Sequence, residues 1–266
     1  MNNKLKYLIL SVFLSFLTGC VTNPISGESQ FIIFSEEQDV ELGKNYAPEI
    51  EKQLGGQIQN LVVQNYLNSI GQQIARVSHQ PPYFSYQYIA LDDEMINAFA
   101  LPGGYIFITK GMLLKLENEA QLAAILAHET IHVVARHSSA SISREIGMEV
   151  ALSVALSKSS GAATQVAGIS RQIIGLSYSR SQEREADLGG LDYMVKAGFD
   201  PWQMVKTMQM LEAEQKTKQI EFFSTHPSPE NRVGYISQAI QSRGYPTGLR
   251  VGAEDYQRFI LNELKN

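Results

Sequence analysis

The sequence is poor in cysteine, with Cys20 the only one among 266 residues. A single cysteine excludes intramolecular disulfide bonds, so an exported form of this chain must be stabilised by its hydrophobic core. A chain of this length is able to form such a core. Runs of basic residues are also missing, and no segment interleaves basic and aromatic residues. Nucleic acid is therefore not expected as a partner.

The first nineteen residues are typical of a bacterial lipoprotein signal peptide. Lys4 and Lys6 precede an apolar segment, residues 7–16, that is shorter than a membrane-spanning helix. The Leu-Thr-Gly-Cys sequence at 17–20 resembles a lipobox, at which a prolipoprotein is lipidated and cleaved. An ordinary signal peptide that happens to contain a cysteine is the alternative. We predict lipid attachment at Cys20.

Cleavage before Cys20 would leave an acidic protein. Residues 1–19 contain two lysines and no acid, so the formal net charge changes from −5 to −7. An acidic surface is repelled by anionic lipids, so the attached lipid would be the membrane anchor. Val21 stands where an inner-membrane retention signal has Asp, and by resemblance to Gram-negative lipoproteins this implies the outer membrane and its periplasmic face.

The motif that carries chemistry is His-Glu-Thr-Ile-His at residues 128–132. His128 and His132 lie one helical turn apart, so both imidazoles can reach one metal ion. Glu129 flanks them and can take a proton from water, an arrangement typical of zinc metalloproteases. An exposed polar helix face is the alternative. Apolar residues flank the motif on both sides, which favours a buried helix whose polar groups need partners.

A catalytic zinc site requires a third protein ligand. Glu183 and Asp187 lie one turn apart on a later predicted helix, which suits a ligand carboxylate and a second carboxylate that holds a histidine N–H. A charged, solvated helix face explains the same pair equally well. Glu185 faces elsewhere, towards solvent or an ion pair. His137 lies on a different side of the motif helix, so a supporting role is favoured over ligation.

We predict an α+β fold that is mostly helical, with a small β-sheet beside a motif helix over about 117–137. The predicted organisation is a signal peptide at 1–19, a lipidated N-terminus and tether at 20–34, one domain at 35–245 and a C-terminal tail at 246–266.

Two segments have more than one interpretation. The strand Tyr105–Ile108 is either the sheet edge on which an extended peptide is laid or part of an ordinary hairpin. Residues 157–171 are small and polar, which is typical of a flexible loop and compatible with a lid over the site.

Four motifs in this order resemble the M48 family of metallopeptidases. They are Asn97–Thr109, the motif at 128–132 with Arg136-His137 after it, Glu183–Asp187, and Thr225-His226-Pro227. The resemblance covers roughly residues 30–240 and is nearest to the single-domain, lipobox-bearing branch of Gram-negative bacteria. It implies a gluzincin-type metalloprotease domain with one Zn²⁺ per chain.

The resemblance also implies roles for single residues. His128, His132 and Glu183 would be the zinc ligands, and Glu129 the general base. Asp187 matches a family aspartate that is sometimes assigned as a proton donor, although on physical grounds we expect it to orient a ligand histidine.

Further family positions concern the substrate. His226 matches a histidine on a movable loop, which either stabilises the oxyanion or occupies the open coordination position when the enzyme is off. Arg232 is a weaker oxyanion candidate. An edge strand that aligns the substrate would be formed by Gly104, Tyr105, Ile106 and Phe107.

The expected function is a zinc endopeptidase, lipid-anchored in the outer membrane and facing the periplasm. Its expected partners are polypeptides from misfolded or misassembled envelope proteins, the membrane, and the outer-membrane assembly machinery. A competing hypothesis is a zinc-holding lipoprotein that acts as a chaperone or assembly factor with latent cleavage. A structural lipoprotein without metal would require the motif to be accidental.

Overall fold

The structure is a computed structural model that describes residues 20–79, 85–155, 176–217 and 220–265. The predicted signal peptide and the predicted loop at 157–171 lie outside the described residues. The prediction of an α+β, mostly helical fold is confirmed. In the described parts of the chain, no helix combines the length and the apolar character needed to cross a bilayer.

Two small sheets contain the strands. Strands β1 (Cys20–Thr22) and β2 (Ser29–Phe31) form an antiparallel hairpin. Strands β3 (Gln87–Leu91), β4 (Ala98–Ala100) and β5 (Tyr105–Thr109) form a second sheet in the order β3-β5-β4. In it, β5 runs parallel to β3 and antiparallel to β4.

Helices make up the rest of the described fold. In chain order they are α1 (Glu36–Gln53), α2 (Leu61–Val77), α3 (Lys110–Leu113), α4 (Glu119–Val134), α5 (His137–Ala155), α6 (Arg180–Lys196), α7 (Trp202–Thr217), α8 (Phe222–Thr225), α9 (Arg232–Arg243), α10 (Ala253–Tyr256) and α11 (Asn262–Lys265). A 3₁₀ turn at Pro102–Gly104 precedes β5, and a π-helical turn at Gln257–Leu261 joins α10 to α11.

Two helices begin directly after a serine whose side chain caps the helix N-terminus. The Ser35 hydroxyl accepts a hydrogen bond from the Gln38 N–H, and the Gln38 side chain accepts one from the Ser35 N–H. The same reciprocal pair joins Ser179 and Gln182 at the start of α6. These capping boxes satisfy N–H groups that a helix start leaves without an intrahelical partner.

The motif helix α4 is buried along its whole length, as its apolar flanks indicate. Its predicted end at about 137 is wrong, because the helix stops at Val134. Arg136 follows with φ 54°, a left-handed conformation in which a residue with a side chain is uncommon. The chain therefore turns sharply, and His137 begins the next helix.

Helix α6 packs closely against α4 at the motif. A Cβ atom on Gly190 would lie 3.3 Å from the backbone nitrogen of His128 and 3.1 Å from Cε of Met204. A Cβ atom on Gly189 would lie 2.7 Å from Cδ1 of Ile131. Because these two positions carry no side chain, α6 can approach the motif closely enough to bring its carboxylates to the histidines.

The segment predicted as a tether over 20–34 is instead folded onto the domain. The Gln30 amide donates to the Ala135 carbonyl at 2.7 Å, directly after the motif helix. The Ile33 N–H donates to Oγ of Ser143 at 3.0 Å. The pairing of β1 with β2 supplies the backbone partners that a loose tether would take from water.

The segment predicted as a C-terminal tail, 246–266, also differs from the prediction. Tyr256 and Ile260 are completely buried in the main core. The Arg250 guanidinium lies 3.2 Å from Oε2 of the buried Glu119 at the start of α4. Tyr256 and Ile260, four residues apart, hold this segment against the domain. Because its helical elements are short, their apolar periodicity was too brief to predict the packing.

The strand predicted as a possible sheet edge is not at an edge. Strand β5, which contains Tyr105, Ile106 and Phe107, lies between β3 and β4 and is paired on both sides. Gly104 is buried in the turn before it. The parallel pairing with β3 spans residues far apart in sequence, which local patterns do not reveal.

Candidate metal centre

Four side chains converge at the centre of the fold. One potential ligand atom from each of His128, His132, Glu183 and His226 lies within 4.8 Å of the others, and all four residues are buried. The two motif histidines come from α4, the glutamate from the first turn of α6, and His226 from the residue that ends α8. The predicted ligands are thus together, with a fourth donor beside them.

The distances within this cluster fit a tetrahedral metal ion. Nε2 of His128 lies 3.0 Å from Nε2 of His132 and 3.3 Å from Nδ1 of His226. Oε1 of Glu183 lies 3.3 Å from Nε2 of His132 and 3.0 Å from Nδ1 of His226. Ligand atoms bound at about 2.0–2.1 Å around one tetrahedral ion stand roughly 3.3 Å apart. The donor set suits a divalent metal.

The charges of the cluster also favour a cation. Burial alone would raise the pKa of the Glu183 carboxyl, but His226 and His128 outweigh it and hold that pKa well below its usual value. Burial lowers the pKa of His132 well below the ordinary histidine value. An ionised carboxylate and a neutral imidazole are the forms in which these groups bind a metal.

Asp187 lies behind the cluster and holds His128. Its Oδ1 is 3.0 Å from Nδ1 of His128, the nitrogen that faces away from the other donors. Arg232 donates to both carboxylate oxygens, at 2.8 and 2.6 Å, and the Tyr235 hydroxyl donates to Oδ2. Burial opposes ionisation of Asp187, but Arg232 and His128 outweigh it and lower its pKa. This arrangement suits the orienting role expected on physical grounds.

The same contacts bear on Arg232, the weaker oxyanion candidate. Its guanidinium is buried and is directed at Asp187, and Nη2 also lies 3.5 Å from Oε2 of Glu183. The side chain therefore neutralises the two carboxylates of α6 from behind.

Glu129 is buried beside the donors with neither of its oxygens in a hydrogen bond among the described residues. Nε2 of His226 lies 3.5 Å from its Oε1. Burial raises the pKa of this carboxyl. A buried carboxylate without hydrogen-bond partners is energetically costly. Beside the four donor side chains, this carboxylate is placed to bind or deprotonate a water molecule.

His137 and Glu185 form a second layer behind His132. Nδ1 of His137 lies 2.9 Å from Nδ1 of His132, so the supporting position expected for His137 is the one it has. Oε2 of Glu185 lies 3.5 Å from Nε2 of His137. Glu185, expected to face solvent or an ion pair, is partly exposed and lies beside the His137 imidazole.

Sequence reasoning missed two aromatic residues of the site. The Tyr178 ring stacks on His132 with centroids 3.8 Å apart, and Phe222 stacks on His226 at 4.5 Å. The Tyr178 N–H also donates to the carbonyl of Thr225, the last residue of α8, which joins the segment before α6 to α8. Neither residue belongs to a motif with a chemical requirement, so the sequence offered no signal for them.

Strands β3 and β4 form the two edges of this sheet, and the outer side of β3 is bonded to the backbone of Gly56 and Ile58, which leaves β4. Its pairing with β5 uses Asn97 and Leu101, whose backbones bond Thr109 and Tyr105. Because hydrogen-bonded and non-bonded pairs alternate in an antiparallel ladder, the N–H groups of Ala98 and Ala100 point away from β5. Strand β4 also packs on α4 and α8, which carry or adjoin the cluster.

Fold and site together define a gluzincin-type metallopeptidase: a motif helix with two histidines, a glutamate from a following helix, and a small sheet alongside. Sequence comparison agrees. The sequence model described as "Peptidase family M48" matches residues 62–240. The chain belongs to this family, and the resemblance inferred from its motifs is confirmed.

Individual relatives extend the comparison. The beta-barrel assembly-enhancing protease of Escherichia coli K12 is 28% identical over 236 residues, which cover 82% of this chain and 47% of the relative. The protein of the same name in Yersinia pestis is 27% identical, covering 88% and 50%. The mitochondrial metalloendopeptidase OMA1 of Schizosaccharomyces pombe is 41% identical over 151 residues, covering 55% and 44%. This chain spans about half the length of these curated relatives.

Proposed function

We propose that this chain is a zinc-dependent endopeptidase that degrades misfolded or misassembled envelope proteins. The observation that carries the proposal is the buried convergence of His128, His132 and Glu183 beside Glu129. Relatives named for beta-barrel assembly support the envelope as the source of the substrates and the outer-membrane assembly machinery as a partner.

In the proposed mechanism, His128, His132 and Glu183 would hold one Zn²⁺. Bound zinc supplies a Lewis acid for the peptide carbonyl and lowers the pKa of water. Glu129 accepts a proton from the attacking water and later donates it to the leaving amine. Asp187 holds the ring of His128 in place throughout.

The test of this proposal is Glu129→Gln. The amide has nearly the shape of the carboxylate but cannot act as the base, so zinc should be retained while casein cleavage falls about 100-fold or more. Zinc content and cleavage are measured on the same preparation. Glu41→Gln, at an exposed position of α1, is the matched control and should leave both unchanged. Undiminished cleavage by Glu129→Gln would rule out this base.

Substrate alignment is proposed along β4 rather than β5. The N–H groups of Ala98 and Ala100 face away from β5, but both residues are buried, so a strand can pair there only after the segment that covers β4 moves. An extended chain paired at that edge would lie beside α4. Strand addition recognises backbone rather than a particular side chain, which suits unfolded segments of many sequences.

Alternate N-methylation of a cleaved casein peptide tests this alignment. A paired strand uses the N–H of every second residue, so methylation at alternate positions before the scissile bond should raise KM about two- to tenfold, the equivalent of one hydrogen bond of roughly 0.5–1.5 kcal/mol. The intervening positions should tolerate the methyl group. An effect with no two-residue period would contradict strand addition.

The location is proposed to be the outer membrane, through a lipid on Cys20. That residue is exposed and begins β1. The β1–β2 hairpin is hydrogen-bonded to Ala135 at the end of α4, so a lipid at Cys20 would hold the domain close to the bilayer surface. The proposal rests on the lipobox-like sequence and on Val21.

Two substitutions separate lipidation from sorting. Cys20→Ala should abolish incorporation of labelled palmitate and release the protein from membranes. Val21→Asp should keep the label but shift the protein to the inner-membrane fraction of a density gradient. Membrane association and labelling that survive Cys20→Ala would contradict the lipid anchor.

A second candidate function is favoured by His226. Its Nδ1 occupies a fourth ligand position, whereas a catalytic zinc site keeps one position open. Glu183, Glu129 and His226 are all fully buried, so a substrate can reach them only if a segment that covers the cluster moves. These features support a zinc-holding chaperone or assembly factor whose cleavage is latent.

Replacement of His226 decides between a latent and an active resting state. If this histidine closes the site, His226→Ala should raise casein cleavage about tenfold or more. Without the imidazole, the closed state in which His226 binds the metal is no longer available. His226→Phe keeps a ring against Phe222 without nitrogen donors and should behave alike. Loss of cleavage in both variants, with zinc retained, would instead assign His226 to catalysis.

A further inference from the structure

The two motif histidines are supported by different partners. His128 presents Nδ1 to the carboxylate of Asp187 at 3.0 Å. His132 presents Nδ1 to another imidazole, that of His137, at 2.9 Å. Both supporting groups are buried, with His137 only 1% exposed. A metal-bound histidine usually gives its second N–H to an acceptor that fixes the ring.

The protonation pattern follows from which nitrogen faces the cluster. Nε2 of His132 lies 3.0 Å from Nε2 of His128 and 3.3 Å from Oε1 of Glu183, so this is the nitrogen available to a metal. Its proton must then be on Nδ1. Nδ1 of His137 is left as the acceptor of that N–H, and its own proton lies on Nε2, on the side of Glu185.

The backbone directs His137 to this position at some cost. Arg136, the residue before it, has the left-handed φ of 54°, which persists only where the surroundings impose it. Its side chain supplies that constraint: Nε donates to Oδ2 of Asp39 at 2.6 Å, and Nη2 donates to the Phe34 carbonyl at 2.7 Å. Asp39 is buried and also accepts from Ser139 at 2.7 Å.

These hydrogen bonds form a continuous chain from Asp39 on α1 to His132 in the donor cluster. The Asp39 carboxylate bonds residues on both sides of His137, namely Arg136 and Ser139. The sharp turn that ends α4 is thereby fixed, and the imidazole is aimed back at His132. An unconstrained helix continuing past Val134 would have carried position 137 to another face.

We propose that His137 is a positioning residue, which accepts the Nδ1–H of His132 and so holds that ligand in the orientation that binds metal. The Arg136–Asp39 pair keeps His137 in place. This inference rests on the proposed zinc site and names a supporting residue beyond its ligands and base.

The test compares His137→Leu with His137→Asn in the purified full-length mature protein. The two side chains have nearly the same shape, but only asparagine places an acceptor oxygen near the position of Nδ1. The zinc dissociation constant is measured by competition with a chromophoric chelator. We expect His137→Leu to bind zinc about 10- to 100-fold more weakly, and His137→Asn to stay within a few-fold of wild type.

Thermal unfolding of the metal-free variants provides a readout that separates packing from positioning. Equal loss of zinc affinity in both variants would overturn the proposal, since shape alone would then explain it. Unchanged affinity in His137→Leu would overturn it as well. If His137→Leu does not fold, His137→Gln replaces it, because the longer amide misses the Nδ1 position and the same weakening is expected.

The outcome for the wild type distinguishes this inference from the proposed function. A wild-type protein that binds no zinc contradicts the metallopeptidase proposal itself. A wild type that binds zinc tightly, with no difference between His137→Leu and His137→Asn, contradicts the positioning role alone.

Discussion

The close packing of α6 on α4 is the contact on which the site depends. Small residues at Gly189 and Gly190 let the two helices approach until a Cβ atom would touch the backbone of His128. That approach buries Glu183 and Asp187 completely beside two histidines. Buried charges are unfavourable unless they are paired or bind a cation. The need to compensate these two carboxylates explains most of what surrounds them.

Compensation comes from both sides of the pair. Arg232 neutralises Asp187 from behind and reaches to within 3.5 Å of Glu183, while the face towards α4 is left to histidine nitrogens. Arg232 alone cannot balance Glu183, Asp187 and the nearby Glu129, and against the effect of burial Glu183 and Asp187 raise the pKa of His128 to about 9 in the absence of an ion. A divalent ion at the centre of the donors would complete the balance, which ties the stability of the core to the proposed chemistry.

Sequence reasoning predicted site residues whose spacing suits metal ligation, and missed features that depend on contacts between distant parts of the chain. The spacing of His128 and His132 predicted a metal site, while the spacing of Glu183 and Asp187 left a solvated helix face equally open. The resemblance to the M48 family singled out Glu183 and His226. The central position of β5 was not predictable, because its parallel pairing with β3 is non-local. The turn at Arg136 was missed for a related reason: it is held by Asp39, almost a hundred residues earlier in the chain.

The most direct test of the account is X-ray absorption at the zinc edge, with metal content, on the purified wild-type protein. The account predicts about one zinc per chain, bound only by nitrogen and oxygen at about 2.0–2.1 Å, with the scattering pattern of several imidazoles. Zinc absent above trace level, or a metal shell without imidazole, would contradict the convergence of His128, His132 and Glu183 on one ion.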